Sequence, residues 1–196
     1  MTGQSDFFEV LAWIAVCSEY CSQISEPPVQ TPPMPPDENA RIQVLRALNI
    51  LDTPPEERFD RLTRLARRVF SVPISTVTMV DSNRQWFKSC GGVDVRETPR
   101  EISFCAHAIL YDDLLIVENA AKDERFKDNP FVTEHPKIRF YAGCPLVLHG
   151  YRIGTICVID MKSRAFTEED RQLLKDLARL AEQELALTES VSAAAL

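Results

Sequence analysis

The stretch Arg100-Glu-Ile-Ser-Phe-Cys-Ala-His-Ala-Ile109, answered by Arg139-Phe-Tyr-Ala-Gly-Cys-Pro-Leu146 and Ile153-Gly-Thr-Ile-Cys-Val-Ile-Asp160, decides how the rest of the chain reads. In the first piece Ser103 is a helix-starting residue, ahead of a short apolar run that carries Cys105 and His107. The other two pieces have the β-branched and aromatic content of strands. They flank His149-Gly150-Tyr151 and predict a hairpin, Ile138–Leu148 paired with Arg152–Asp160. Pro145 has no amide hydrogen, so it predicts an edge position or a bulge in the first arm.

Working upstream, Ile74–Asp81 alternates with period two, and Gln85–Cys90 returns after a polar Asp81-Ser-Asn-Arg84 turn. Leu114–Val117 reads as a further strand, and Asp123–Phe131 as a helical turn or loop. Helical spacing appears outside these strands. Glu38–Asn49 carries Ile42, Leu45 and Leu48 on one stripe. Thr53-Pro-Pro-Glu56 predicts a cap with proline at the first helical position, followed by a buried face of Phe59, Leu62, Leu65, Ala66 and Val69. Thr167-Glu-Glu-Asp170 is a capping-box variant that opens a last helix with Leu173, Leu177 and Leu180. The order predicts an α+β module built on an antiparallel sheet flanked by helices.

These quoted segments together resemble a GAF domain, the ligand-sensing module of bacterial signalling proteins, over roughly residues 38–187. The resemblance implies terminal helices packed on one sheet face and a small-molecule pocket on the other. Carried to the matching segments, it implicates Phe104, Cys105, His107, Asp123, Arg139 and Tyr141 as ligand contacts, with Trp86 as an aromatic wall. An alternative for Arg139 is an ion pair with Asp123 or Glu124. Output is expected through the terminal helices, with Ile42, Leu45, Leu48, Leu173, Leu177, Leu180 and Ala181 as a homodimer seam or partner surface. No output domain is expected after the last helix, so the chain is expected either to act alone or to work through a separate signalling protein.

The 196 residues accommodate one domain with an appendage. Residues 1–25 form that appendage, where Phe7, Val10, Leu11 and Ile14 fit either an interaction helix or a disordered tail. Residues 26–37 carry six prolines and read as a semi-rigid linker. Residues 188–196 read as a frayed tail. A net charge of −7 argues against nucleic acid and anionic membrane as partners. Phe7–Cys17 is far shorter than the roughly 20 apolar residues of a bilayer span, and no direct membrane insertion is expected. Six scattered cysteines with no CxxC predict neither a disulfide scaffold nor a zinc site, and fit a reduced, cytoplasmic compartment.

Within the short helix, Cys105 and His107 stand two residues apart and point in different directions, a poor catalytic pair. The register of the hairpin is open between two readings. With Gly150-Tyr151 central, Cys144 faces Cys157 and a redox pair is allowed; with His149-Gly150 central, Cys144 faces Thr155. No phosphate loop, nucleophile elbow or HExxH motif is present. The cyclic-nucleotide, bilin-attachment and methionine-sulfoxide-reductase patterns of GAF relatives are missing too, and no motif selects a cofactor. The expectation is therefore a sensor with no catalytic residues and no metal. A thiol-dependent reductase of the free-methionine-sulfoxide type and a ligand-free interaction module are the alternatives.

Overall fold

The structure, a computed structural model, describes residues 29–194, with side chains to residue 189. The helix or tail expected over residues 1–25 lies outside the described residues. Six strands, β1 (Ile74–Val80), β2 (Arg84–Gly91), β3 (Glu97–Pro99), β4 (Leu115–Val117), β5 (Phe140–Leu148) and β6 (Tyr151–Asp160), form one sheet in the order β3-β2-β1-β6-β5-β4. Every neighbouring pair is antiparallel. The helices are α1 (Glu38–Ala47), α2 (Glu57–Val69), α3 (Phe104–Ala108), α4 (Pro130–Thr133) and α5 (Glu168–Ala194).

Two apolar layers sandwich this sheet. Leu45, Phe59, Leu62, Leu174 and Leu177 bring α1, α2 and α5 onto one face. Ile102, Phe104, Phe126 and Phe131 bring α3, α4 and their connections onto the other. The period of a strand divides each central strand between the layers. On β6, Ile156 and Val158 face the long helices, while Cys157 and Ile159 face the opposite layer. On β5, Phe140, Ala142 and Cys144 go one way and Tyr141 the other. The terminal helices thus share one face, and β1 is buried along its whole length.

Several ends follow local chemistry. Asp170 N–H donates to Thr167 Oγ1 at 3.1 Å and Thr167 N–H donates to Asp170 Oδ2 at 2.9 Å, the reciprocal bonds of a capping box. Helix α5 then runs to Ala194, beyond the tail boundary expected at residue 188. The start of α2 is not where Thr53 suggested. Its N-cap is Glu56, because Thr53 is otherwise engaged: its hydroxyl donates to the Ile50 carbonyl and accepts from the buried ammonium of Lys88. Leu65 and Val69 lie 42% and 51% exposed, so the inner stripe of α2 is Phe59, Leu62, Thr63 and Ala66.

Helix α1 is fixed by charge. The Glu38 carboxylate accepts from Arg41 Nε and Nη2 at 2.7 and 2.8 Å and from Arg100 Nη1 at 2.5 Å. The two guanidiniums, 1% and 3% exposed, also donate to the carbonyls of Val80 and Asp81. Burial raises the Glu38 pKa, but the guanidinium hydrogen bonds outweigh it and hold the carboxyl down at about 2.

The hairpin resolves the register question with a third answer. His149 and Gly150, both at positive φ, are the central residues, and Leu148 pairs with Tyr151. A bulge between Leu146 and Val147 then shifts the pairing by one, so that Cys144 faces Ile156 and Gly143 faces Cys157. Cys144 and Cys157 lie on opposite faces, and the expected cross-strand pair does not form. Pro145 sits just past the last β4 pairing, Leu115 with Gly143, where a missing amide hydrogen is tolerated.

The proline-rich segment is more than a linker. Pro32 and Pro35 are buried, and Val29 packs against the α3 layer. Of the seam residues, Leu45, Leu48, Leu177 and Ala181 are core and unavailable to a partner. Ile42 and Leu173 are half-buried, and Leu180 is 45% exposed.

Candidate functional site

On the face opposite the long helices, α3 lies over β1, β6 and β5 and encloses a cavity. Ser103 caps α3 by accepting from Ala106 N–H at 3.0 Å and donates in turn to Gln85 Oε1 of β2. Gln85 donates to Thr98 Oγ1, so the start of α3 is tied to two strands. This cap sets Phe104 and Cys105 into the cavity lining, while His107 reaches the Gln30 carbonyl.

Around Thr76, which lines the cavity, runs a polar patch in an otherwise apolar layer. Register places Thr76 opposite Cys157 and Thr78 opposite Thr155, all on one face of β1 and β6. Thr76 Oγ1 lies 2.7 Å from Thr78 Oγ1 and 3.1 Å from Cys157 Sγ. Thr155 Oγ1 is buried with no hydrogen-bond partner among the described residues. From β5, Tyr141 donates its hydroxyl to Cys105 Sγ at 3.5 Å. Gly143 makes room for it: a Cβ there would stand 2.1 Å from the Tyr141 hydroxyl oxygen.

Cys90, Cys105 and Cys157 all line this cavity, with Phe87, Phe104 and Phe131 among its apolar walls. Its free volume is about 20 Å³, room for a single water-sized molecule. Burial raises the Cys105 thiol, yet the Cys157 thiol and the Thr155, Tyr141 and Thr78 hydroxyls around it outweigh burial and draw it below an ordinary cysteine. The Cys105 sulfur beside it and burial together push the Cys157 thiol well up. Burial pushes Cys90 up to about 12. Among the described residues no group of His, Cys, Asp and Glu side chains is arranged to hold a metal ion.

Phe104, Cys105 and Tyr141 meet at the cavity; the other three residues anticipated there do not. His107 Nε2 donates to the Gln30 carbonyl at 3.1 Å, and burial lowers its pKa. Asp123 is held by Arg125, whose Nε and Nη2 donate at 2.9 and 2.6 Å. Arg139 Nη1 donates to the carbonyls of Val132 and Ile138, which closes the end of α4 rather than pairing with Asp123. Trp86 faces the long helices, and Phe87 supplies the aromatic wall. Thr76, Thr78 and Thr155 were not anticipated. Their signal was polar residues two apart in otherwise apolar strands, which needs the strand register before it becomes a site.

The GAF-domain family model matches residues 54–185. The GAF domain of an Acinetobacter phosphoenolpyruvate-protein phosphotransferase superposes with a TM-score of 0.58 at 16% identity, covering 79% of this chain and 98% of its own. Free methionine-R-sulfoxide reductase from Neisseria meningitidis gives 0.57 at 15%, covering 83% and 99%; at such identities the likeness is one of fold. A cyclic di-GMP phosphodiesterase of Pseudomonas aeruginosa is 42% identical over 152 residues, 76% of this chain and 26% of that protein. The chain therefore spans about a quarter of the relative's length. This relative corrects the expectation of a protein without enzymatic standing, since it is itself named as an enzyme. Among the described residues no helix is long and apolar enough to cross a membrane. With the sheet order, the two-layered packing and a family match over most of the described residues in agreement, this chain belongs to the GAF-domain family.

Proposed function

We propose that this chain is the ligand-sensing regulatory module of a bacterial cyclic di-GMP signalling system, in which a small polar molecule in the α3 cavity biases α5 and, through it, a phosphodiesterase of the relative's kind. One observation carries the reading. Strands β5 and β6 give alternate side chains to the cavity and to the α5 layer, Tyr141 and Cys157 on one side and Ala142, Ile156 and Val158 on the other. A shift of either strand at the cavity therefore moves the surface on which α5 rests, because close-packed interiors transmit displacement. Coupling of this kind has a usual size of about 1–3 kcal/mol. The 42% identical phosphodiesterase supports the choice of pathway. The exposed apolar residues Leu180 and Leu187 of α5, together with Leu65 and Val69 of α2, are offered as the homodimer seam.

The test is a thermal-shift screen of polar molecules of only a few heavy atoms against the full chain, followed by titration of the hits. Thr76→Val removes one hydroxyl from the cavity floor and keeps the side chain's shape. Loss of one ligand hydrogen bond is expected to weaken a hit by about tenfold. The same hit is expected to change hydrogen exchange along α5. Equal affinity for both proteins, or unchanged α5 exchange, would overturn the reading.

A further inference from the structure

The cavity brings together more sulfur and hydroxyl chemistry than a passive binding wall needs. Cys105 on α3 and Cys157 on β6 line the same cavity, although 52 positions separate them in the chain. Hydroxyls surround the pair: Tyr141 on Cys105 at 3.5 Å, Thr76 on Cys157 at 3.1 Å, and Thr78 and Thr155 beside Cys105. Thr155 is fully buried and its hydroxyl is unpartnered. A buried donor in that state is unfavourable, and a thiolate on Cys105 would give it an acceptor. The surroundings thus favour an anionic sulfur at Cys105 and a neutral thiol at Cys157, the division of labour between an attacking and a resolving cysteine. Space favours the smallest reagents. A cavity with little more room than one water disfavours glutathione disulfide or a substrate the size of methionine sulfoxide far more than two-oxygen hydrogen peroxide.

We propose that Cys105 and Cys157 are a peroxide-reactive thiol pair, in which a hydroperoxide small enough for the cavity oxidises Cys105 and Cys157 closes the disulfide. The proposal rests on the reading of this cavity as the sensing site and names the chemistry it senses. The Cys105 thiolate attacks one peroxide oxygen; an S–O bond forms, the O–O bond breaks, and the departing hydroxide takes up the proton Cys105 had released, giving water and a sulfenic acid. Cys157 then attacks the sulfenic sulfur. The S–S bond forms, the S–O bond breaks, and hydroxide leaves with the Cys157 proton as a second water. Both thiols are oxidised, sharing a loss of two electrons, and one peroxide is reduced to two waters. The product links α3 to the centre of the sheet, the place where the cavity touches the strands under α5.

The test exposes the reduced full-length chain to hydrogen peroxide, quenches it with N-ethylmaleimide and maps peptides after unfolding. The expected product lacks the mass of two hydrogens and contains a peptide joined through Cys105 and Cys157. Cys90→Ser and Cys144→Ser are expected to form the same link. Cys157→Ser is expected to stop at a sulfenic acid on Cys105, trapped by dimedone. Tert-butyl hydroperoxide is expected to react at least about tenfold more slowly than hydrogen peroxide because of its bulk. Maleimide on both Cys105 and Cys157 after peroxide, or a link that runs through Cys90, would overturn the proposal. The two readings fail separately. A 105–157 link without any change in α5 hydrogen exchange refutes the sensor reading and spares the thiol chemistry. A metabolite that binds at Thr76 while both thiols resist peroxide does the reverse.

Discussion

At the scale of single residues, Gly143 matters for what it leaves out. It is extended strand, so its glycine is not there for backbone freedom; it is there because the Tyr141 hydroxyl crosses the position its Cβ would fill. Gly143→Ala is expected to destabilise the chain by about 1–3 kcal/mol, the usual size of an overpacked core site, as measured by urea unfolding. Adding Tyr141→Phe is expected to recover only part of this, because the ring carbon Cζ would still stand 2.6 Å from the new methyl. Full recovery in the double variant would mean that the hydroxyl alone sets the fit. Threonine plays the complementary part: Thr76, Thr78 and Thr155 bring hydroxyls into a layer that is otherwise apolar, and a strand with β-branched residues gives up no β-propensity for them.

At the scale of elements, α1 is held by ionisation as well as by apolar packing. Glu38 sits between Arg41 and Arg100, and its folded-state pKa is about 2 against an ordinary 4.5. A carboxyl depressed on folding adds stability above its unfolded value, and that stability is lost as pH falls through its folded value. Unfolding free energy is therefore expected to decline from about pH 4.5 toward pH 2, with α1 among the first elements to loosen. Glu38→Gln is expected to flatten that decline and to cost about 3 kcal/mol at neutral pH, since it leaves two buried guanidiniums without their anion. Denaturant titrations across this pH range check both statements. Local signals made the elements legible to different degrees. The Thr167–Asp170 box and the Ser103 cap could be read directly, since each is made of neighbours in sequence. The start of α2 could not: Thr53 is claimed by Lys88, 35 residues away, and no local pattern reports a distant ammonium. The three-residue β3 is too short to show a period, and the bulge after Leu146 is set by how two arms accommodate each other. Half of the anticipated pocket dispersed for the same reason. His107, Asp123 and Arg139 are on the right segments, but each answers to a partner that spacing alone does not reveal.

At the scale of the whole molecule, α2 and α5 each expose apolar side chains. Leu65, Val69, Leu180 and Leu187 are between 42% and 57% exposed, while the leucines first expected there fill the core. Under the proposed homodimer, Leu180→Glu combined with Leu187→Glu is expected to halve the mass seen by sedimentation equilibrium without lowering the melting temperature. An unchanged mass would place the contact elsewhere. The N-terminal approach also belongs to this scale. Val29 and Gln30 rest on α3, the helix that carries Cys105, so the chain ahead of the domain is joined to the roof of the cavity.

The bulge in the β5–β6 hairpin divides the sulfur chemistry of the protein. By placing Cys144 under the long helices and Cys157 under α3, one extra residue turns the sheet into an insulating wall between two compartments. Whatever happens to the thiols on the α3 side, Cys144 stays a spectator, separated by a layer of hydrogen-bonded backbone. It is thus a ready-made listening post: with the other cysteines replaced by serine, a nitrile introduced on Cys144 sits against α5 and reports, as a shift in its stretching frequency, the motion of the helix that would carry a signal out.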